Sequence, residues 1–148
     1  MPAKPRKRPC SSCPYRLDVP SGVWAESEYS KLPDYDRPTG QQPMQVFMCH
    51  QADGTVCSGW AAVHGDRDNL ALRMAASLGA DIDRDAVIAY TTDVPLFSTG
   101  MDAALHGIAD IEEPGPMARA VVAKLMEQRD RRRALLKAAI DMEAWGRR

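Results

Sequence analysis

Hydrophobic positions along this chain recur with a helical period in some stretches and as short apolar runs in others. In the apolar run Val46-Phe47-Met48, the chain leads into Cys49, reverses at Gln51-Ala-Asp-Gly54, where Asp-Gly is a strong turn signal, and returns through Thr55-Val56 to Cys57. This pattern predicts a short hairpin, continued as a strand by Trp60-Ala-Ala-Val63. Leu70, Met74 and Leu78 repeat at i, i+4, i+8 behind a cap at Asp68 or Asn69 and before Gly79, which predicts a helix. A short helix is expected near Arg84 to Tyr90. Another is expected from about Asp93 to Gly107, with Leu96, Met101, Leu105 and Ile108 inward. Pro20 to Trp24 reads as a turn into a short helix capped by Ser21 or Ser27, and residues 33–43, with three prolines and Gly40, as a loop.

Glu112 to Pro116 is the clearest linker. Pro116 is placed as the first residue of a final helix running from about Met117 to Ala144, in which two apolar sets flank the charged stretch Glu127 to Arg133. The expected organisation is a small domain over residues 1–111, a linker at 112–116 and a basic helical extension at 117–148. The expected fold class is α+β: a small metal-centred domain with a short β-hairpin and several helices, plus a long C-terminal helix.

Composition leaves that picture intact. The 148 residues are 45% hydrophobic and 26% charged, ordinary values for a folded domain that needs no disulfide staples. No stretch reaches the ~18 apolar residues of a membrane span, and the start of the chain lacks an apolar signal segment; a cytoplasmic protein without membrane contact is expected. Charge changes the picture more. Net charge is only −1, but residues 1–16 carry +5, residues 117–148 carry +5 and the segment between carries −11. Basic ends on an acidic middle suggest contact with nucleic acid or a protein partner through Lys4, Arg6, Lys7, Arg8, Arg129, Arg131, Arg132 and Arg133, or ends folded back on the body. The apolar stripe Leu135 to Met142 adds homo-oligomerisation through the C-terminal helix as a further expectation.

Cysteine spacing is the sharpest signal. In a reducing compartment, four spaced cysteines point to metal rather than disulfides. Cys10-x-x-Cys13 can offer two thiolates to one metal from a tight turn, and Cys49 and Cys57 can add two more. Zinc is the expected cofactor and a [4Fe-4S] cluster the alternative; His50 and His64 are substitute ligands. Arg16 and Trp60 are expected around the centre, the first offsetting the negative charge of four thiolates, the second within its apolar shell. His106 reads as an ordinary hydrogen-bonded histidine.

Cys10-x-x-Cys13-Pro-Tyr-Arg16, Pro20-Ser-Gly-Val-Trp24, Phe47-x-Cys49-His50, Cys57-x-Gly59-Trp60 and Asn69-Leu-Ala-x-Arg73 together resemble an uncharacterised family of small four-cysteine proteins from actinobacteria and their phages. The resemblance spans about residues 8–110. It implies that the cysteines, Arg16, His50 and the Cys57-to-Trp60 turn form one constellation, with the C-terminal segment outside it, and brings no activity.

Three functional classes follow, in this order. The first is a non-enzymatic, metal-stabilised binding or regulatory module acting through its basic ends. The second is an iron–sulfur redox sensor or electron carrier. The third is a zinc-dependent enzyme acting on nucleic acid. The last has least behind it, since four cysteines make a closed site and neither a deaminase motif nor a phosphate loop is present.

Overall fold

The computed structural model describes residues 1–146. Its helices are α1 (Glu26–Tyr29), α2 (Ser58–His64), α3 (Leu70–Met74), α4 (Arg84–Ile88), α5 (Gly100–Ile108) and α6 (Pro116–Gly146), with 3₁₀ turns at Leu32–Asp36 and Thr39–Gln41. Among the described residues strand pairing is confined to isolated bridges, so the expected α+β class and its hairpin are overturned. The reversal between Cys49 and Cys57 does occur, closed by one antiparallel bridge of Met48 with Val56, and Gly54 takes the positive φ of 72° that the turn requires. The ladder goes no further for two reasons. On the far side Val56 meets Pro5, which has no N–H to donate. Beyond Cys57 the chain turns helical, so Trp60 to Val63 belong to α2 and bury Trp60 and His64 on one face at i, i+4.

Aromatic rings occupy the centre of the core. Trp60, Tyr15, Tyr29, Leu32, Leu72, Val56 and Val87 are fully enclosed. Tyr35 packs edge-on against Trp60 with ring centroids 5.4 Å apart, and against Phe47 at 6.4 Å.

Small residues set the position of α5. A Cβ on Gly100 would meet the Leu32 carbonyl, and one on Gly107 would meet the Tyr29 ring, at 2.1 and 2.2 Å. Such close approach puts Ala103, Ala104 and Gly107 on the buried face and leaves Met101 and Leu105 exposed, against expectation, while Leu96 and Ile108 pack on the core as expected. The helix starts at Gly100, later than expected, where Thr99 and both carboxylate oxygens of Asp36 cap its first N–H groups. Asn69 caps α3 through Leu72 N–H, as its position predicts, but regular α-helix ends at Met74. Ser21 caps no helix: its hydroxyl donates to the Gly107 carbonyl and accepts from Asp110 N–H.

Pro116 opens α6 as expected. Ala118 is fully buried, and Val121, Val122 and Leu125 pack with it on Val19, Val23 and Trp24. From Met126 onward every described residue of the helix is exposed.

Candidate metal centre

The four cysteines come together although 47 positions separate the first from the last. A Cys10-to-Cys13 turn, closed by Cys13 N–H on the Cys10 carbonyl at 3.0 Å, presents two sulfurs from the N-terminal arm. Cys49 comes from the reversal and Cys57 from the residue before α2. Cys13 and Cys57 sulfurs lie 3.7 Å apart, and Cys10 interacts with both Cys13 and Cys49. The sulfurs thus stand in a row, Cys49, Cys10, Cys13, Cys57, with Cys13 and Cys57 buried and the other two half-buried. No three His, Cys, Asp or Glu side chains among the described residues already converge as a coordination shell.

Crowding raises the pKa values of Cys10, Cys13 and Cys49. The contact with Cys13 does most for Cys10, and the contact with Cys10 for Cys49, with burial adding to both. For Cys13 the hydrogen bond with Cys10 works downward, but contact with Cys57 and burial outweigh it, leaving the thiol well above its ordinary range. Backbone groups act in the opposite sense: Ser12 toward Cys10, Tyr15 toward Cys13, and Gln51 and Ala52 toward Cys49 each favour the thiolate. Main-chain donors aimed at sulfur are the usual outer support of a thiolate–metal centre.

Gly59 explains how α2 reaches this site. A Cβ there would lie 2.4 Å from the Cys13 sulfur and 2.8 Å from Tyr15 Cβ, so only glycine lets the first turn of α2 sit against the sulfur row. Around it, the Trp24 indole donates to the Ser12 carbonyl at 2.7 Å. Gln51 donates from its side chain to the hydroxyls of Ser11 and Ser12. Arg16 holds the Pro9 carbonyl and pairs with Asp18 at 2.6 Å; that hydrogen bond raises its pKa most, and Cys13 and Cys10 add to the effect. Trp60 is buried, packed on Tyr35.

Neither histidine belongs to the sulfur row. His50 Nε2 is 2.7 Å from Glu28, and its ring lies against Trp24 with centroids 4.6 Å apart. His64 is buried edge-on to Tyr15, 3.9 Å from Asp36. His106 bonds the Val19 carbonyl at 2.7 Å, the ordinary role expected for it.

Lys4, Arg6, Lys7 and Arg8 are exposed on the arm beside Cys10. Arg132 is tied back, donating to the Gln51 carbonyl at 2.6 Å and meeting Asp53 at 3.4 Å. Arg131 pairs weakly with Glu127 at 3.7 Å, and Arg129 and Arg133 are exposed. Glu28, Ser12 and Gln51 were missed as site residues by reasoning from sequence, and Tyr15 was quoted only as part of a motif. Gly59 stood within a quoted motif, but its spacing alone does not show the close approach it permits.

With this geometry in view, comparison with known families is decisive on one point. The chain belongs to DUF6283, a family of unknown function. The DUF6283 match runs over residues 5–129 and so takes in the arm from Pro5 onward, all four cysteines and the docked part of α6. No curated protein and no solved structure matches the chain.

Proposed function

We propose that this protein is a non-enzymatic binding module whose fold is completed by one metal ion, zinc, held by Cys10, Cys13, Cys49 and Cys57, and which contacts nucleic acid or a host protein through its basic ends. The observation that carries the reading is the row of all four cysteine sulfurs with main-chain groups favouring thiolate at three of them. The donor set suits a thiophilic metal, and the cradle at Gly59 keeps a Cβ out of the sulfur row. Zinc bound there would supply a crosslink joining the arm, the reversal and α2. Four thiolates leave such a centre with two negative charges, and Arg16 is the cation beside it. A reducing compartment, the bacterial cytoplasm, belongs to the same reading, as does an actinobacterial or phage source.

The test is metal and sulfide analysis, with a visible spectrum, of protein purified without oxygen. About one zinc per chain and no visible absorption is the expected result. Iron with sulfide and a broad visible band would transfer the site to electron transfer or redox sensing. A metal-free, fully folded chain would overturn the proposal.

A further inference from the structure

The N-terminal basic segment is a fixed structure. The carbonyl of Ala3 accepts from Asp83 N–H, that of Lys4 from Val56 N–H, that of Arg6 from the Ser58 hydroxyl, that of Lys7 from the Tyr90 hydroxyl and that of Pro9 from Arg16, at 2.9 to 3.2 Å. Parallel bridges of Ala3 with Ile82 and Pro5 with Val56 hold the same arm. Arg6, Lys7 and Arg8 are thus displayed in a set order on immobilised backbone. They line, with Pro9, Cys10, Ser11 and Gln51, a notch of about 450 Å³. Among the described residues neither Arg6 nor Lys7 meets a carboxylate. Arg8 has only a long pair with Asp93, at 3.5 Å with both side chains largely in water, which salt screens readily.

The other basic end reaches the same place. Arg132 is anchored on the Gln51 carbonyl while the Gln51 side chain reaches Ser11 and Ser12, so α6 runs alongside the notch. Arg129 lies three residues before Arg132, on the same side of the helix, and is exposed. Two segments more than 120 positions apart in sequence therefore put their cations on one face, around one loop.

We infer that this face, Arg6, Lys7, Arg8 and Arg129 around the Gln51 notch, binds the phosphate backbone of double-stranded nucleic acid without reading its sequence. It deepens the proposed function by choosing between the two partners left open there, and rests on that proposal only for taking the basic ends as the binding surface. Two features favour duplex. No aromatic side chain lines the notch, so unpaired bases have no platform to stack on. No large apolar side chain lines it either, and a protein partner would want such an anchor at the centre of its interface. Cations carried on a backbone held at fixed spacing suit a polyanion of regular spacing, since little backbone freedom remains to be lost on binding.

The experiment is fluorescence anisotropy of a labelled, short, mixed-sequence DNA duplex and of one of its single strands, titrated with the full chain. With four phosphate contacts, duplex affinity should fall about 150-fold between about 50 and 200 mM salt, a log–log slope of about −3.6. The triple variant Arg6→Gln, Lys7→Gln, Arg8→Gln should flatten that slope by about 2.7, and Arg129→Gln by about 0.9, with thermal melting unchanged. The inference is overturned by absence of duplex binding at low salt, by single strand binding as tightly as duplex, by polyglutamate displacing duplex as well as unlabelled duplex does, or by a triple variant with unchanged slope. Zinc measured on the same sample separates the two proposals. Zinc-free protein that binds duplex with this salt dependence removes the metal and keeps the interface; zinc-loaded protein that ignores duplex does the reverse.

Discussion

In the body, short helices and turns are held by side chains bonded to distant main chain: Ser58 to the Arg6 carbonyl, Tyr35 to the Gln45 carbonyl, Trp24 to the Ser12 carbonyl, Asp36 to the start of α5. In α6 a single regular helix of 31 residues touches the rest through Ala118, Val121, Val122 and Leu125, then through Arg132, and stands in water beyond. One region depends on individual contacts that no neighbour can replace; the other depends on a repeated main-chain bond that tolerates most substitutions. Chemistry that needs fixed atoms belongs in the first.

The sharpest way to break this comparison is at Gly59. Gly59→Ala forces a Cβ against the Cys13 sulfur and the Tyr15 side chain, so it should cost about 3 kcal/mol, read as a large drop in melting temperature. A melting curve unchanged from wild type would show that α2 does not need the close approach. Asp36→Ala removes both carboxylate acceptors from the first turn of α5 and should cost about 1–2 kcal/mol by denaturant titration.

A smaller effect is expected from acid. Burial depresses the pKa of His64 below its ordinary 6.5, against the opposing pull of Asp36 and Asp66. The unfolded chain then binds the proton more readily than the folded one, so the stability this group allows is full above 6.5 and is lost as the pH falls from there through the folded value. His64→Gln should flatten the stability profile over that range, and an identical acid slope in variant and wild type would assign the effect elsewhere. Smallest of all, Leu136→Gln with Ile140→Gln, both exposed on the distal part of α6, should change unfolding free energy by less than about 0.5 kcal/mol. A larger loss would mean that this stripe is covered in solution.

The same contrast explains what the sequence discloses. Pro116 as a helix start, Asn69 as a cap and the turn at Gly54 follow from local chemistry, and all three appear. The expectation of a family without known function is met as well. The strand expected at Trp60 to Val63 is a helix because packing around Trp60 and His64 outweighs a short apolar run. The face of α5 was misplaced in part: Ile108 packs on the core as expected, but Met101 and Leu105 do not, because the helix sits so close to Tyr29 and Leu32 that Gly and Ala form the contact. The place of Arg132 over the Gln51 loop depends on where α6 lies on the body, which no local pattern encodes.

The central claim, one metal held by the four cysteines, is tested most directly by titrating the reduced, metal-free chain with cobalt(II), which reports thiolate ligation by an intense charge-transfer band. The account predicts saturation at one cobalt per chain, displacement by zinc, and a band weakened in each of the four single Cys→Ser variants. Saturation without any thiolate band, or a band unchanged in Cys13→Ser, would contradict it.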